Sequence, residues 1–407
     1  MQHPIIIIGA GAAGLSAGQA LRSAGFAPLI LEARDRIGGR IHTDHTYGPV
    51  ELGAEFIHGD QAITWAIVRA AGLATIPWGD TRLFARNGSI IPANDPLGAQ
   101  VAALFNAIYT SSGPEISVAQ RLAALAPPDD PAAGIVSRWL ANLEGADVQR
   151  LSATAVARER IESTNGATNF HLVGGYDAVP RALAAGLDIQ CSSPVVRIAW
   201  NPAGATLTLA SGVQYQARRV IITVPLGVLQ AGLPVFDPPL PAPKRAAIEA
   251  LAMGQVSKLA LWFDQAFWPD FTVLSTDGCV ATWWPVETAA TPTLMGYTGG
   301  PAGLALADRG EAGAIAVALA ELERLFGPVA QHAFRGGRLA DWSREPWSRG
   351  AYSYTPVGAG TARADLAAPV GDVLFFAGEA SVTNGHVATV HGAIETGRRA
   401  AQEVMQC

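Results

Sequence analysis

Apolar residues in this 407-residue chain gather in short runs punctuated by glycine and proline. The first run, Ile5-Ile6-Ile7-Ile8, is four β-branched residues in succession, the composition of a parallel strand covered on both faces. It leads into Gly9-Ala10-Gly11-Ala12-Ala13-Gly14. Leu15, Ala17, Ala20, Leu21 and Ala24 then recur at roughly helical spacing, and Gly25 is placed as a C-terminal stop. A second apolar run, residues 26–31, ends at Glu32, with Pro28 removing one ladder donor from it. Strand, glycine turn, helix and strand in this order predict an α/β, Rossmann-type unit.

The pattern then changes. Residues 61–72 read as a helix, and residues 83–91 read as a hairpin turning at Asn87-Gly88. Residues 97–109, 116–125 and 132–143 read as helices divided by Pro- and Gly-containing loops, without the strand–helix alternation of the first segment. Strand character returns at 187–200, in a hairpin of 205–209 with 213–217 joined through Ser211-Gly212, and in 220–224. A helix over 244–251 and an alternating strand over 258–263 come next, followed by strands at 282–286 and 293–298. An amphipathic helix spans 311–326 and is broken by Gly327-Pro328. A strand at 373–376 and a helix beginning near Thr389 close the chain. The expected architecture is a discontinuous nucleotide-binding domain of segments 1–79, 187–230 and 360–407. An α+β substrate domain of segments 80–186 and 231–359 interrupts it.

Charge and composition narrow the function. With 28 Lys and Arg against 34 Asp and Glu, the net charge of −6 argues against a nucleic-acid footprint and is compatible with a cationic small molecule. Cys191, Cys279 and Cys407 lie far apart and show no metal or redox spacing, so they read as inert thiols. No apolar run reaches the roughly 18 residues of a membrane span, and the first strand begins close to Met1, leaving no room for a signal peptide. A cytoplasmic protein is therefore expected, with no membrane or metal partner.

The glycine turn carries the first candidate chemistry. Gly9 permits the tight turn, Gly11 lets the backbone approach a pyrophosphate, and Gly14 allows close helix–strand packing, while Ala13 belongs to the first helical turn whose N–H groups face the phosphates. Glu32, about 20 residues on, can accept from both ribose hydroxyls, which favours a cofactor without a 2′-phosphate.

Downstream, Arg34-Asp35-Arg36-Ile37-Gly38-Gly39-Arg40 and Glu51-Leu52-Gly53-Ala54-Glu55-Phe56-Ile57-His58-Gly59 resemble the corresponding segments of the flavin amine oxidase family. The resemblance continues in Pro225-Leu226-Gly227-Val228-Leu229, in Phe236-Asp237-Pro238-Pro239-Leu240-Pro241, in the Trp342, Pro346, Gly350, Tyr352, Ser353 spacing, and in Ala388-Thr389-Val390-His391-Gly392-Ala393. It is nearest the polyamine oxidase and lysine-specific demethylase-like branch. It implies non-covalent FAD, since family members with covalent flavin carry a cysteine where this chain has Ala351. It implies cofactor contacts from Gly9, Gly11, Ala13, Gly14, Glu32, Arg34, Arg40, Gly53, Ala54, Glu55, Val196, Gly378, Glu379, Ala388, Thr389 and Val390. Arg40 would reach the pyrophosphate, Val196 the adenine, Glu379 the ribityl and phosphate region, and residues 388–390 the pyrimidine edge. A helix N-terminus at that edge would stabilise negative charge on the reduced ring.

On residue type alone, Lys258 at a strand end is a solvated charge. The resemblance instead sets it beside flavin N5 through a water, with Tyr352 and His58 on the substrate side and Thr389 where the monoamine oxidase branch carries its second cage tyrosine. The implied activity is oxidation of an amine by hydride transfer from the carbon next to nitrogen, imine hydrolysis, and reoxidation by O2 to peroxide. Glu55 and Glu144 are candidates for holding a distal ammonium. The expected partners are a small amine and O2, and the expected state is a monomer or homodimer. Competing readings are a monoamine oxidase, an L-amino acid oxidase, which needs an arginine for the substrate carboxylate that residues 56–59 do not supply, and a desaturase-like flavoprotein. From outside enzymology, a non-catalytic binding protein with the same fold competes, against which Lys258 and Tyr352 speak.

Overall fold

The four isoleucines of the first run alternate between two cores. In the computed structural model, which describes residues 2–91 and 96–407, Ile6 and Ile8 pack into one hydrophobic cluster and Ile5 and Ile7 into another on the opposite face of the strand Gln2–Ile8. All four are buried, contributing together about 6–12 kcal/mol as an upper figure. The strand is central in an eight-stranded sheet. On one side it pairs in parallel with Leu29–Leu31, beyond which lies Asp188–Gln190, and on the other with Gln214–Ile222. The helix Ala12–Ser23 covers one face together with the C-terminal helix Val390–Gln406.

Several sequence expectations shift by a few residues. The second strand begins at Leu29, so Pro28 lies before it and costs no ladder bond. Residues 187–200 form two strands, Asp188–Gln190 and Val195–Asn201, because the chain turns at Ser192, whose φ is +51°, and at Pro194. Conversely, the expected strands at 213–217 and 220–224 are one, Gln214–Ile222. Its start pairs antiparallel with Gly204–Leu209 and its end parallel with Leu374–Phe376. The hairpin at Asn87-Gly88 is present, with both residues at positive φ, 52° and 75°.

A second, seven-stranded sheet runs in the order Phe334–Asp341, Val256–Phe263, Thr293–Gly299, Thr282–Pro285, Val273–Thr276, Arg82–Arg86, Ser89–Ile91. The helices Pro96–Tyr109, Val118–Leu125, Pro131–Glu144 and Ala153–Glu162 form a separate lobe with its own core. Val235–Asp237 adds to the first sheet, and the helix Ala242–Ala250 packs into its core. Likewise Ala178–Ala184 packs with the first helix. Among the described residues no helix is long and apolar enough to cross a membrane.

Candidate active site

One cavity of about 740 Å³ runs from the glycine turn of the first sheet to the helical lobe, within the range of pockets that enclose cofactors and small ligands. At its first end two glycine turns face each other. Gly9 has φ +104°, and Gly38 donates its N–H to the Ala10 carbonyl at 2.9 Å. Gly14 does not line the cavity. A Cβ there would lie 1.9 Å from the Gly9 carbonyl oxygen, so close packing requires a glycine at this position. Gly11 is extended, and a Cβ on it would enter open cavity space, its nearest neighbour being the Gly39 Cα at 4.0 Å. Having no side chain, this N-cap leaves the first helical N–H groups uncapped.

Glu32 is buried at this end, its Oε2 accepting from the Ala10 N–H at 2.7 Å and its Oε1 from the Arg34 N–H at 2.9 Å. Arg34 bonds Ser348 and Glu345 through Nη2, while its Nε is buried and unpartnered. An open glycine cradle, a free helix N-terminus and an orphaned guanidinium N–H are the donor set that a diphosphate requires. FAD therefore fits the residues present. Val196 sits at a β-bulge between Val195 and Arg197, and its neighbour Val195 lines the cavity.

Farther along, Arg40 donates from Nη1 to the Ala351 carbonyl and to Glu379 Oε1, both at 2.8 Å. Glu379 is buried and also accepts from the Ser353 hydroxyl at 2.7 Å. Burial pushes its carboxyl up, but the Arg40 charge, the Ser353 hydrogen bond and Arg363 outweigh this and hold it below its ordinary value. Gly378, Ala388, Thr389 and Val390 line the same stretch. Thr389 caps the last helix, accepting from the Gly392 N–H at 3.0 Å, and Ala388 before it has φ +60°, a strained value for a residue with a Cβ.

Lys258 is not at a strand end. It stands inside Val256–Phe263, where every residue is buried, and is itself only 4% exposed. Its Nζ donates to Glu55 Oε2 at 2.6 Å and to the Gly53 carbonyl at 3.1 Å. Glu55 Oε1 accepts from Trp284 Nε1 at 2.8 Å, so each of its oxygens already has a protein donor. Tyr297, opposite Lys258 in the sheet, bonds its hydroxyl to that of Tyr352 at 2.6 Å, and Tyr352 donates onward to the Leu143 carbonyl at 2.7 Å. Burial raises both phenols above their ordinary value, keeping them neutral. Phe56, Trp78, His171 and Trp284 complete an aromatic wall, with Phe56 and Trp78 ring centres 4.4 Å apart.

His58 faces the cavity while protein encloses it, and its Nδ1 bonds Asn169 Oδ1 at 3.0 Å. Burial lowers its pKa from the ordinary value. Glu144 lines the arm towards the helical lobe, and its carboxylate makes no hydrogen bond among the described residues. Burial, with Glu159 adding to it and Arg363 opposing, raises its pKa to about 7. Arg82 lies over the Trp139 ring and Arg160 over the Tyr109 ring, and all four residues line the cavity. Trp284, Tyr297 and Asn169 were not among the sequence candidates. They come from strands whose pairing alone brings them to Lys258 and His58, and Asn169 lies in a strand, Asn169–Leu172, with no alternation to reveal it. Among the described residues no three His, Cys, Asp or Glu stand together as metal ligands.

A family model described as flavin containing amine oxidoreductase matches residues 12–405. The chain is 31% identical to polyamine oxidase 3 of Oryza sativa subsp. japonica over 98% of its own length and 88% of that protein. It is 29% identical to lysine-specific histone demethylase 2 of Homo sapiens, again over 98% of its length but over 53% of that protein. Putrescine oxidase solved with putrescine bound has the same fold, with a TM-score of 0.85 at 24% identity and 100% of each chain covered. So has cyclohexylamine oxidase from Brevibacterium oxydans IH-35A, with a TM-score of 0.85 at 24% identity and 99% of each chain covered.

Proposed function

The chain belongs to the flavin containing amine oxidoreductase family, as an FAD-dependent amine oxidase, and we propose that its substrate is a short diamine or secondary amine of the polyamine oxidase type, with O2 as electron acceptor. The observation that carries the substrate class is Glu144, a carboxylate that lines the cavity with Tyr352 and has no hydrogen-bond partner among the described residues. A second nitrogen a few bonds from the reacting one would meet it. The guanidiniums of Arg82 and Arg160, which line the same cavity, oppose a longer chain of ammonium groups.

Bound FAD supplies the acceptor for the hydride that leaves the carbon beside the amine nitrogen, and passes the electrons to O2. The protein's part is to orient, desolvate and manage protons. Tyr352 and Tyr297 hold each other rigid and present ring faces that attract the amine. The His58 Nδ1–H donates to Asn169, so its Nε2 lone pair is free to take the proton of the incoming ammonium and leave a nitrogen lone pair for hydride loss. Lys258 keeps one N–H beyond its two protein bonds, available to a water in the cavity. Arg34, Arg40 and Glu379 hold the phosphate and ribityl side in this reading, and Thr389 with Val390 the ring edge. It also makes the protein cytoplasmic, monomeric or homodimeric. Segments 1–79, 178–250 and 360–407 form the FAD-binding domain, and the remainder the substrate domain.

A peroxide-coupled screen of putrescine, cadaverine, butylamine and spermine tests this: the diamines should give the highest kcat/KM, and spermine above both would overturn the restriction to a short chain. Glu144→Gln should raise KM for the best diamine by about 10–100-fold, the cost of losing a charge-assisted bond, while leaving butylamine within twofold. Because Glu144 is charged only above its raised pKa of about 7, KM for the diamine should climb as pH falls through that value in the parent and stay flat in the variant. The flavin is non-covalent: none of the three cysteines lines the cavity. Acid precipitation should leave all of it in the supernatant, and a yellow pellet would contradict this.

A further inference from the structure

Lysine inside a fully buried strand is costly unless its charge is matched, and here the match is specific to one side chain. Glu55 meets Lys258 Nζ at 2.6 Å, with both side chains 5% exposed. The carboxylate is itself held from behind, since Trp284 Nε1 donates to its other oxygen at 2.8 Å and the His171 Nδ1 lies 3.6 Å away. Lys258 also lies 5.6 Å from the Trp284 ring centre, so one tryptophan braces both partners. The other titratable groups facing the pair are Glu51, Tyr297 and, beyond His171, Glu287. Burial lowers the His171 pKa and raises the Tyr297 pKa, so both are neutral and neither replaces Lys258 as the cation opposite Glu55.

We propose that Glu55 is the positioning residue for Lys258: its carboxylate fixes the direction of the ammonium, and Trp284 fixes the carboxylate in turn. Two of the three ammonium protons are thereby committed to Glu55 and the Gly53 carbonyl, and the third is aimed at the cavity that Lys258 lines. Glu55 thus acts on the ammonium from within the lining of the same cavity. This rests on the reading of Lys258 as the charged group of the active site.

The test is reductive methylation of the FAD-loaded protein with formaldehyde and cyanoborohydride across a pH series, with modification of Lys258 read by peptide mass spectrometry. The modification rate reports how firmly the ammonium is held, without reference to turnover. In Glu55→Gln, which keeps the shape and loses the charge, Lys258 should be modified several-fold faster than in the parent, because its main partner is gone. Glu55→Asp should restore most of the parent profile. Trp284→Phe, which leaves the charge but frees the carboxylate, should raise the rate several-fold at fixed pH, and serves if Glu55→Gln loses its fold. Superimposable profiles for the parent and whichever variant is folded would overturn the proposal. So would a Glu55→Gln variant whose one change is a higher KM for diamine, which would make Glu55 a substrate ligand. Failure of every amine in the peroxide screen would instead remove the functional reading and leave this result standing.

Discussion

Lys258→Met is expected to slow amine-driven bleaching of the bound flavin by about 10²–10³-fold, the loss seen when one preorganised donor is removed from a reacting centre, with FAD still bound. The expectation follows from burial. A lysine 4% exposed within a strand whose other residues are all buried is not there to solubilise a surface. The substitution has a second effect that must be separated from the first, because it strands Glu55 as a buried carboxylate without its counter-ion, at a cost of about 3–5 kcal/mol. Combining it with Glu55→Gln should recover most of that stability, read by thermal unfolding, and recover none of the rate. If the double variant regained turnover, Lys258 would matter as a partner for Glu55 and not for the reaction.

A valine at Gly11 should abolish flavin binding in a protein that otherwise folds. Gly11 is extended, with φ −79° and ψ −176°, a conformation valine adopts freely, and its Cβ would project into the cavity, where the proposed diphosphate would lie. Losing two charge-assisted hydrogen bonds there costs about 3–6 kcal/mol, so affinity should fall by roughly 10²–10⁴-fold. Gly14→Val gives the contrast. Its Cβ would sit 1.9 Å from a backbone oxygen, so that variant should lose soluble expression or cooperative unfolding as well. Equal flavin occupancy in Gly11→Val and the parent, by absorbance of the purified proteins, would contradict the assignment of this turn.

Those two glycines were legible because their roles are local: the strand, the turn and the helix that define them are adjacent in sequence. The same holds for Glu32 and for the Asn87-Gly88 hairpin. The substrate side was far less legible from periodicity. Phe334–Asp341 carries two glycines and Asn169–Leu172 is a short mixed run, so neither reads as a strand. Yet the first is a sheet neighbour of the Lys258 strand and the second delivers Asn169 to His58. Tyr297 and Trp284 are apolar-strand residues in the sequence and site residues only once register sets them beside Lys258 and Glu55. Glu144 and Glu55 looked alike as candidates. Their difference is that each oxygen of Glu55 has a protein donor while Glu144 has no hydrogen bond among the described residues, which only packing decides.

The central claim is that an amine in this cavity reduces the flavin beside Lys258 and Tyr352. Anaerobic mixing of the FAD-loaded protein with the best diamine from the screen tests it most directly, by absorbance in the visible flavin band. The band should bleach with one equivalent of amine, return on admission of O2, and persist for at least a hundredfold longer in Lys258→Met. A band unchanged by every amine, or bleached as fast without Lys258 as with it, would contradict the account.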